Sequence, residues 1–171
     1  MTFKTKFFGS VTSRERAAFL YVEEDWDATA SKVDITYTTG TAPNYWRAYD
    51  FPDGNTGVAV TVCNHSAGHV TTYSDAYLNR DETDSMNSLQ LRAVASHEEG
   101  HQIGLGHSQY GGSIMYPVAP NQVASPQVDD VCGLNAMYPN STYSVDVPPC
   151  HSDHSILNLA GSTLKEVSHG S

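Results

Sequence analysis

Three segments of the chain have apolar positions three or four residues apart, the spacing of one helix face, and they lie at about 12–30, 86–104 and 125–139. Thr12 and Glu15 form a capping box at the start of the first segment. In the third segment, Ser125 has the place of the N-cap and Pro126 that of the first helical residue. The pattern therefore predicts three helices, with Glu99 of the second as a charge that faces solvent.

Four further segments alternate between polar and apolar residues or are rich in β-branched ones, and they predict strands at about 33–37, 45–51, 57–63 and 70–78. The third strand is a mostly apolar run, which is typical of the centre of a sheet. The fourth alternates, and we expect it to be the edge strand beside a cleft. Residues 1–11 form a basic and aromatic leader whose order the pattern does not decide, and 79–84 is an acidic loop.

The end of the second predicted helix contains the pattern H-E-x-x-H-x-x-G-x-x-H. His97 and His101 are one helical turn apart on the same face, so their two imidazoles can bind one zinc ion. Glu98 flanks the metal, where a general base for a zinc-bound water is needed. On a continuous helix His107 would lie roughly 9 Å further along the axis. The helix must therefore break, at Gly104, for the third imidazole to reach the metal.

Three histidine ligands leave one coordination position open for water, as a catalytic zinc site requires. The alternative interpretation is a charged amphipathic helix with incidental histidines. A second feature favours the metal site: the segment S-I-M-Y-P follows the third histidine and places Met115 in a tight turn, which is a metzincin signature.

With the patterns H-E-x-G-H-x-x-G-L-x-H-S and I-M-Y-P, the chain resembles the matrixins, the matrix-metalloproteinase type of the metzincin zinc endopeptidases. The resemblance implies one catalytic zinc ion and a general base, Glu98. It further implies zinc ligands and a Met-turn methionine, which are His97, His101, His107 and Met115. The expected partner is then a protein or peptide substrate.

The resemblance also implies an α+β fold of the zincin type. A twisted mixed sheet and two long helices would form an upper subdomain, and a C-terminal helix would belong to a small lower one. We expect a catalytic domain over 1–139, with 1–11 as its leader, and a tail or linker of unknown role over 140–171.

Pro117 and Val118 follow the Met-turn and are expected to form the wall of the S1′ pocket, which takes the side chain after the cut. Matrixins usually have Pro-x-Tyr at this place, and this chain has Pro117-Val118-Ala119. The side-chain preference of the family therefore does not carry over.

Composition and charge narrow the function classes. The net charge of −10 argues against nucleic acid and against anionic membranes as partners. No apolar run approaches ~18 residues, so no membrane span is expected. The polar, lysine-poor composition favours a secreted protein, and we expect a monomer. No signal peptide is visible at the start of the chain, and we expect it to have been removed.

The three cysteines are an odd number, so at least one is free or pairs outside the chain. Cys132 and Cys150 close a short loop and are the candidate disulfide, and Cys63 lies in an apolar run and is expected to be a buried thiol. Simple packing of all three is the alternative.

Two other segments hold groups that bind metals. Asp81, Glu82 and Asp84 offer oxygen ligands for calcium, but they lack the pattern of a calcium-binding loop. The loop 64–69 contains two histidines, and it is either a solvated loop or a second metal site.

These observations predict a secreted zinc endopeptidase that cleaves internal peptide bonds with a zinc-bound water activated by Glu98. One alternative is a zinc-stabilised binding or adhesion module of the same fold with little catalysis. Such a module has no use for a base at Glu98. Another alternative is a zinc hydrolase that acts on a non-peptide amide.

Overall fold

The computed structural model of the chain describes residues 1–31, 33–52, 55–65, 71–118 and 123–138. Within these ranges the secondary structure consists of β1 Thr2–Phe7, α1 Ser13–Asp27, β2 Asp34–Tyr37, β3 Asn44–Tyr49, β4 Ala59–His65, β5 Thr71–Asn79, α2 Arg80–Thr83, α3 Ser88–Gln102 and α4 Val128–Met137. The fold is α+β, as the sequence predicts. None of the described helices is both long and apolar enough to cross a membrane.

The five strands form one mixed sheet in the order β2-β1-β3-β5-β4. All neighbours are parallel except β4, which runs antiparallel to β5. The helices α1 and α3 pack against each other and against this sheet. Phe19 of α1 stacks on Trp46 of β3 with ring centroids 4.2 Å apart, and Trp26 Nε1 donates to the Ser96 carbonyl of α3 at 3.0 Å. Two helices and the sheet thus share one core.

The segment 1–11 holds a central strand of this sheet and is not a leader. β1 lies between β2 and β3, with Thr2 opposite Asp34 and Thr5 opposite Asn44. Phe3 and Thr5 are buried in the core. The inward position of Thr5 is polar because its hydroxyl donates to the buried Glu23 carboxyl. Because a threonine occupies this core position, the segment lacks the apolar alternation that would have predicted the strand.

The edge strand on the side of α3 is β4, so the prediction that 70–78 is the edge strand was wrong. β5 lies inside the sheet between β3 and β4. The run at 57–63 has the apolar composition of a central strand because both of its faces are covered. Ala59 is buried, and Val60 and Val62 are half-buried. Apolar side chains indicate that the faces of a strand are buried. Whether the strand lies at an edge depends instead on whether its backbone is hydrogen-bonded to a neighbouring strand on both sides.

The helix boundaries follow the capping groups. Thr12 and Glu15 form the predicted capping box of α1. Part of the predicted acidic loop is the short helix α2, whose Arg80 forms an ion pair with the buried Glu15 at 2.7 Å. The helix α4 begins at Val128 and not near Pro126, because the Asp130 carboxylate accepts from Gln127 N at 2.7 Å and fixes the N-cap there.

Candidate metal centre

The helix α3 begins at a capping box that the sequence analysis did not identify. The Asn87 side chain accepts hydrogen bonds from Leu89 N and Gln90 N, each at 3.0 Å. The Gln90 side chain in turn accepts from Asn87 N at 2.9 Å. Both interactions satisfy backbone groups that the first turn of a helix leaves without intrahelical partners. They fix the start of the helix that carries two of the histidines.

The same helix ends at Gln102, and the chain breaks away from its axis at Gly104, as the sequence predicts. Gly104 has a φ of +105°, which is accessible to glycine and strained for other residues. Its N–H donates to the His101 carbonyl at 2.9 Å, and Leu105 N donates to the Gly100 carbonyl at 2.9 Å. This pair of bonds is a Schellman motif. The chain therefore leaves the helix axis directly after the second histidine.

Beyond the break, the chain folds back under the end of α3. Ser108 N donates to the Met115 carbonyl at 2.9 Å, which joins the segment of the third histidine to the Met-turn. The rings of His97, His101 and His107 come together as a result, with centroids 4.7–5.1 Å apart. One ligand nitrogen from each of the three lies within 4.8 Å of the others.

Backbone carbonyls orient two of the three rings. Ile114 O lies 2.8 Å from His97 Nδ1, and Leu105 O lies 2.8 Å from His101 Nδ1. A carbonyl oxygen can only accept, so each Nδ1 carries the hydrogen and each Nε2 has a free lone pair. The two Nε2 atoms lie 3.1 Å apart. Two nitrogens bound tetrahedrally to one zinc ion at about 2.0–2.1 Å would be about 3.3 Å apart, so the pair fits zinc.

The protonation state of these rings also suits a metal. Burial lowers the pKa of His97 well below 6.5, and the charge of His101 adds to the effect. Burial, together with His107, lowers the pKa of His101 to about 4. Zinc binds the neutral imidazole, so both side chains are in the form that a metal needs at neutral pH. Because the donor set is three neutral nitrogens, the residues present fit a catalytic zinc ion.

Glu98 lies between the two ligand positions of α3 in sequence and faces β4. Its side chain is buried, and its Oε2 accepts a hydrogen bond from Thr61 Oγ1 at 2.5 Å. Thr61 was not identified from the sequence, where the strand 57–63 carried no functional prediction. No local signal marks it, because a threonine in a strand is common and its partner is 37 residues away.

Met115 packs against the helix α3. Its side chain is buried, and a Cβ at Gly100 would lie 2.2 Å from Met115 Sδ and 3.1 Å from Trp26 Cζ2. Only glycine lets the turn approach α3 this closely. The glycine within the histidine pattern is therefore required by packing.

Asp130 holds the Met-turn in place, a role that the sequence analysis missed. Its carboxylate accepts from Ser113 Oγ, from Ile114 N at 3.0 Å and from Met115 N at 3.2 Å, besides capping Gln127. A buried acid three residues into a helix can bond both its own helix and a neighbouring turn, which is the signal that could have identified it.

The other predicted residues are not members of this histidine cluster. Pro117 and Val118 are exposed directly after the Met-turn. Among the described residues, the three histidines are the only group of three or more metal-binding side chains close enough to share an ion, and the acids of 81–84 do not form one. Most of the loop 64–69 lies outside the described residues. Cys63 is a buried thiol, as predicted, and Cys132 is in a disulfide whose expected partner, Cys150, lies outside the described residues.

Glu99 does not face solvent, and that prediction was wrong. Its side chain is 0% exposed and lies in the core near Glu23. The adjacent Glu98 already points towards β4, and the 100° rotation per residue turns Glu99 away from β4, towards Glu23 of α1 and Trp46 of β3. Sequence periodicity alone assigned a charged residue to the solvated face.

Comparisons with known proteins agree with the site geometry. The model of the matrixin family, peptidase family M10, matches residues 5–139. The chain is 38% identical over 82 residues to stromelysin-1 of Rattus norvegicus, a match that covers 44% of the chain and 17% of that protein. It is 44% identical over 54 residues to matrix metalloproteinase-19 of Homo sapiens (29% and 10%) and 39% identical over 70 residues to matrilysin of Rattus norvegicus (37% and 26%). The matches thus span about a quarter or less of these relatives' length.

Proposed function

We propose that this chain, which belongs to the matrixin family, is a zinc-dependent endopeptidase that hydrolyses internal bonds of protein or peptide substrates. The observation that carries the proposal is the convergence of three histidine nitrogens within 4.8 Å of one another, with Glu98 next to the first of them in the chain. His97, His101 and His107 would hold the zinc ion, and Met115 would support them from below.

The chemistry divides between the metal and the protein. A bound zinc ion supplies a Lewis acid that polarises a carbonyl and acidifies water. Glu98 accepts the proton of the attacking water and then delivers it to the leaving amine. The backbone carbonyls of Ile114 and Leu105 keep the two rings of α3 in the orientation that presents Nε2 to the metal.

The substrate is proposed to bind along β4. This strand is the edge of the sheet next to α3, and its outer backbone groups can pair with an extended peptide by strand addition. The residue after the cut would then point towards the surface formed by Pro117 and Val118. Both residues are exposed and follow the Met-turn directly, which agrees with a pocket wall.

We further propose that the protein is secreted and acts as a monomer. The disulfide at Cys132 supports an oxidising compartment, where such bonds persist. The three histidines come from a single chain, so the metal site needs no second copy to be complete.

The test compares the native chain with Glu98→Ala, both loaded with zinc, on an unfolded protein and on a peptide library. We expect kcat to fall by about 10²–10⁴-fold in the variant while the zinc content stays the same, because only the proton transfer is removed. Chelation should abolish the activity of the native chain, and added zinc should restore it. Equal activity of both proteins, or none in either with zinc bound, would reject the peptidase and favour the binding module.

A further inference from the structure

The strand β4 is fastened to α3 by side chains at two successive inward positions. Thr61 Oγ1 donates to Glu98 Oε2 at 2.5 Å, and Cys63 Sγ donates to the His101 carbonyl at 3.2 Å. Glu98 and His101 are three residues apart and lie on one face of the helix. The proposed substrate-binding strand therefore touches the helix at the general base and at a zinc ligand.

The contact between Thr61 and Glu98 is buried on both sides. Thr61 is 6% exposed and Glu98 is 3% exposed, so little water competes for the bond. A hydrogen bond to a carboxylate is among the stronger ones in proteins, and a low local dielectric strengthens it further. Threonine is also stiff at χ1, which fixes where its hydroxyl points. One carboxylate oxygen of Glu98 thus has a defined position relative to β4.

We propose that Thr61 is a positioning residue for the proposed peptidase reaction: its hydroxyl holds one oxygen of Glu98, so that the other oxygen is presented to the attacking water. The inference rests on the proposed function, because Glu98 has a reaction to serve only in a peptidase. It also joins two parts of the site, since the residue that orients the base belongs to the strand proposed to pair with the substrate.

The sheet offers a matched comparison for this contact. Thr5 of β1 is 1% exposed, and its hydroxyl donates to the carboxyl of Glu23, which is 4% exposed. The two pairs have the same chemistry: a buried strand threonine that donates to a buried helix glutamate. They differ in that Thr5 and Glu23 belong to β1 and α1, and neither of these elements carries one of the three histidines. A purely structural role predicts the same behaviour from both threonines.

The kinetic test uses the zinc-loaded full chain with Thr61→Val, Thr61→Ser and the control Thr5→Val. Valine keeps the β-branched shape and removes the hydroxyl, whereas serine keeps the hydroxyl. We expect Thr61→Val to lower kcat by about 10–100-fold with KM within about twofold, because a base that is misplaced by about 1 Å costs this much. Thr61→Ser should recover most of kcat, and the folded fraction of Thr5→Val should keep the native kcat. All four proteins should contain the same amount of zinc.

Two kinetic results would overturn the inference. One is a kcat of Thr61→Val within twofold of native, and the other is an equal loss of kcat in Thr61→Val and Thr5→Val. A failure of Thr61→Ser to recover activity also counts against it, because the hydroxyl is what the inference requires.

A second measurement does not depend on activity. Thermal unfolding of the zinc-loaded native chain, Thr61→Val, Glu98→Ala and the double variant forms a double-mutant cycle. We expect Thr61→Val to lower Tm by about 2–4 °C when Glu98 is present and by much less when it is absent. Equal shifts in both backgrounds would show that Thr61 does not act through Glu98 and would sink the inference. If the cycle shows coupling but the native chain cleaves no substrate, the proposed function fails while the Thr61–Glu98 contact stands.

Discussion

Glu98 and Glu99 are adjacent in one helix, and both are buried, but their surroundings are opposite. Glu98 faces β4 and receives a hydrogen bond from Thr61. Glu99 faces the core, where neither of its oxygens finds a hydrogen-bond donor of good geometry among the described residues. The indole of Trp46 lies close enough to both core carboxyls, Glu99 and Glu23, to favour their ionised forms in part.

The difference shows two ways to bury a carboxyl group. Burial raises the pKa of Glu99 well above 4.5, and the charge of Glu23 adds to this effect. Burial likewise raises the pKa of Glu23 to about 7. These two carboxyls therefore tend to keep a proton inside the core. On the side of the histidines, by contrast, backbone carbonyls orient His97 and His101, and the Thr61 hydroxyl donates to Glu98.

The largest effect that separates the two faces of α3 is expected from removing a metal ligand. His101→Ala should lose the zinc ion and reduce peptide hydrolysis to the level of the chelator-treated native chain. Glu99→Gln, two residues earlier on the core face, should keep both. Zinc content and kcat/KM of the purified variants provide the measurement. Comparable losses in Glu99→Gln would show that the core face takes part in the chemistry.

The next largest effect concerns the support of the cleft side. Asp130→Ala should lower the free energy of unfolding by about 3 kcal/mol or more, because it leaves the buried backbone N–H groups of Ile114 and Met115 without this acceptor. Asp130→Asn keeps one carbonyl oxygen and should cost less. Urea unfolding of the three proteins measures the order. A cost below about 1 kcal/mol for the alanine variant would mean that the Met-turn holds without Asp130.

A smaller loss of stability is expected from a substitution at Gly100, where α3 packs against both Met115 and Trp26. Gly100→Ala places a methyl group 2.2 Å from Met115 Sδ and 3.1 Å from Trp26 Cζ2. The flexible methionine can move in part, so we expect a loss of about 1–3 kcal/mol by urea unfolding. Gly106→Ala is the control, since a Cβ there meets no atom within 4 Å. The packing argument fails if both variants are equally stable.

The smallest effect is a pH dependence of the stability, which comes from the buried carboxyls on the core face of α3. Because the folded pKa of Glu23 is raised to about 7, the stability from its bound proton is full below 4.5 and is lost as pH rises through 7. We expect this contribution to the free energy of unfolding of the zinc-loaded chain to fall by about 1 kcal/mol between pH 6.5 and 8, at the end of a loss that begins near pH 4.5. In Glu99→Gln the decline should be shallower.

The histidines cannot imitate this decline. The lowered pKa values of His97 and His101 act in the opposite sense, because they cost stability as pH falls through 6.5. The same pH dependence over 6.5–8 in the native chain and in Glu99→Gln would therefore contradict the assignment of protonated carboxyls to the core.

The sequence predicts those parts of the molecule that depend on local chemistry. The capping box at Thr12 and the helix break at Gly104 each follow from residues that are neighbours in the chain, and both are confirmed. The convergence of the three histidines also follows, because the pattern carries its own geometry. The α+β class and the matrixin resemblance are confirmed as well.

The predictions fail where a partner is distant in sequence. The strand β1 has a buried threonine whose hydroxyl needs Glu23 as its hydrogen-bond acceptor. The edge position of β4 is set by which strands pair with each other in the sheet. The burial of Glu99 depends on the packing of α1 against α3. The hydrogen bond from Thr61 to Glu98 joins residues that are 37 positions apart in the chain. Hydrophobic periodicity tells which face is covered, but it does not tell what covers it.

The position of β1 in the sheet has a consequence for proteolytic trimming of residues 1–8. β2 has a single neighbour in the sheet, and that neighbour is made of residues 2–7. An exopeptidase that trimmed eight residues from the start would detach β2 and uncover Ile35 and the floor of the core. Trimming would thus act at the sheet edge opposite β4, without touching any of the three clustered histidines.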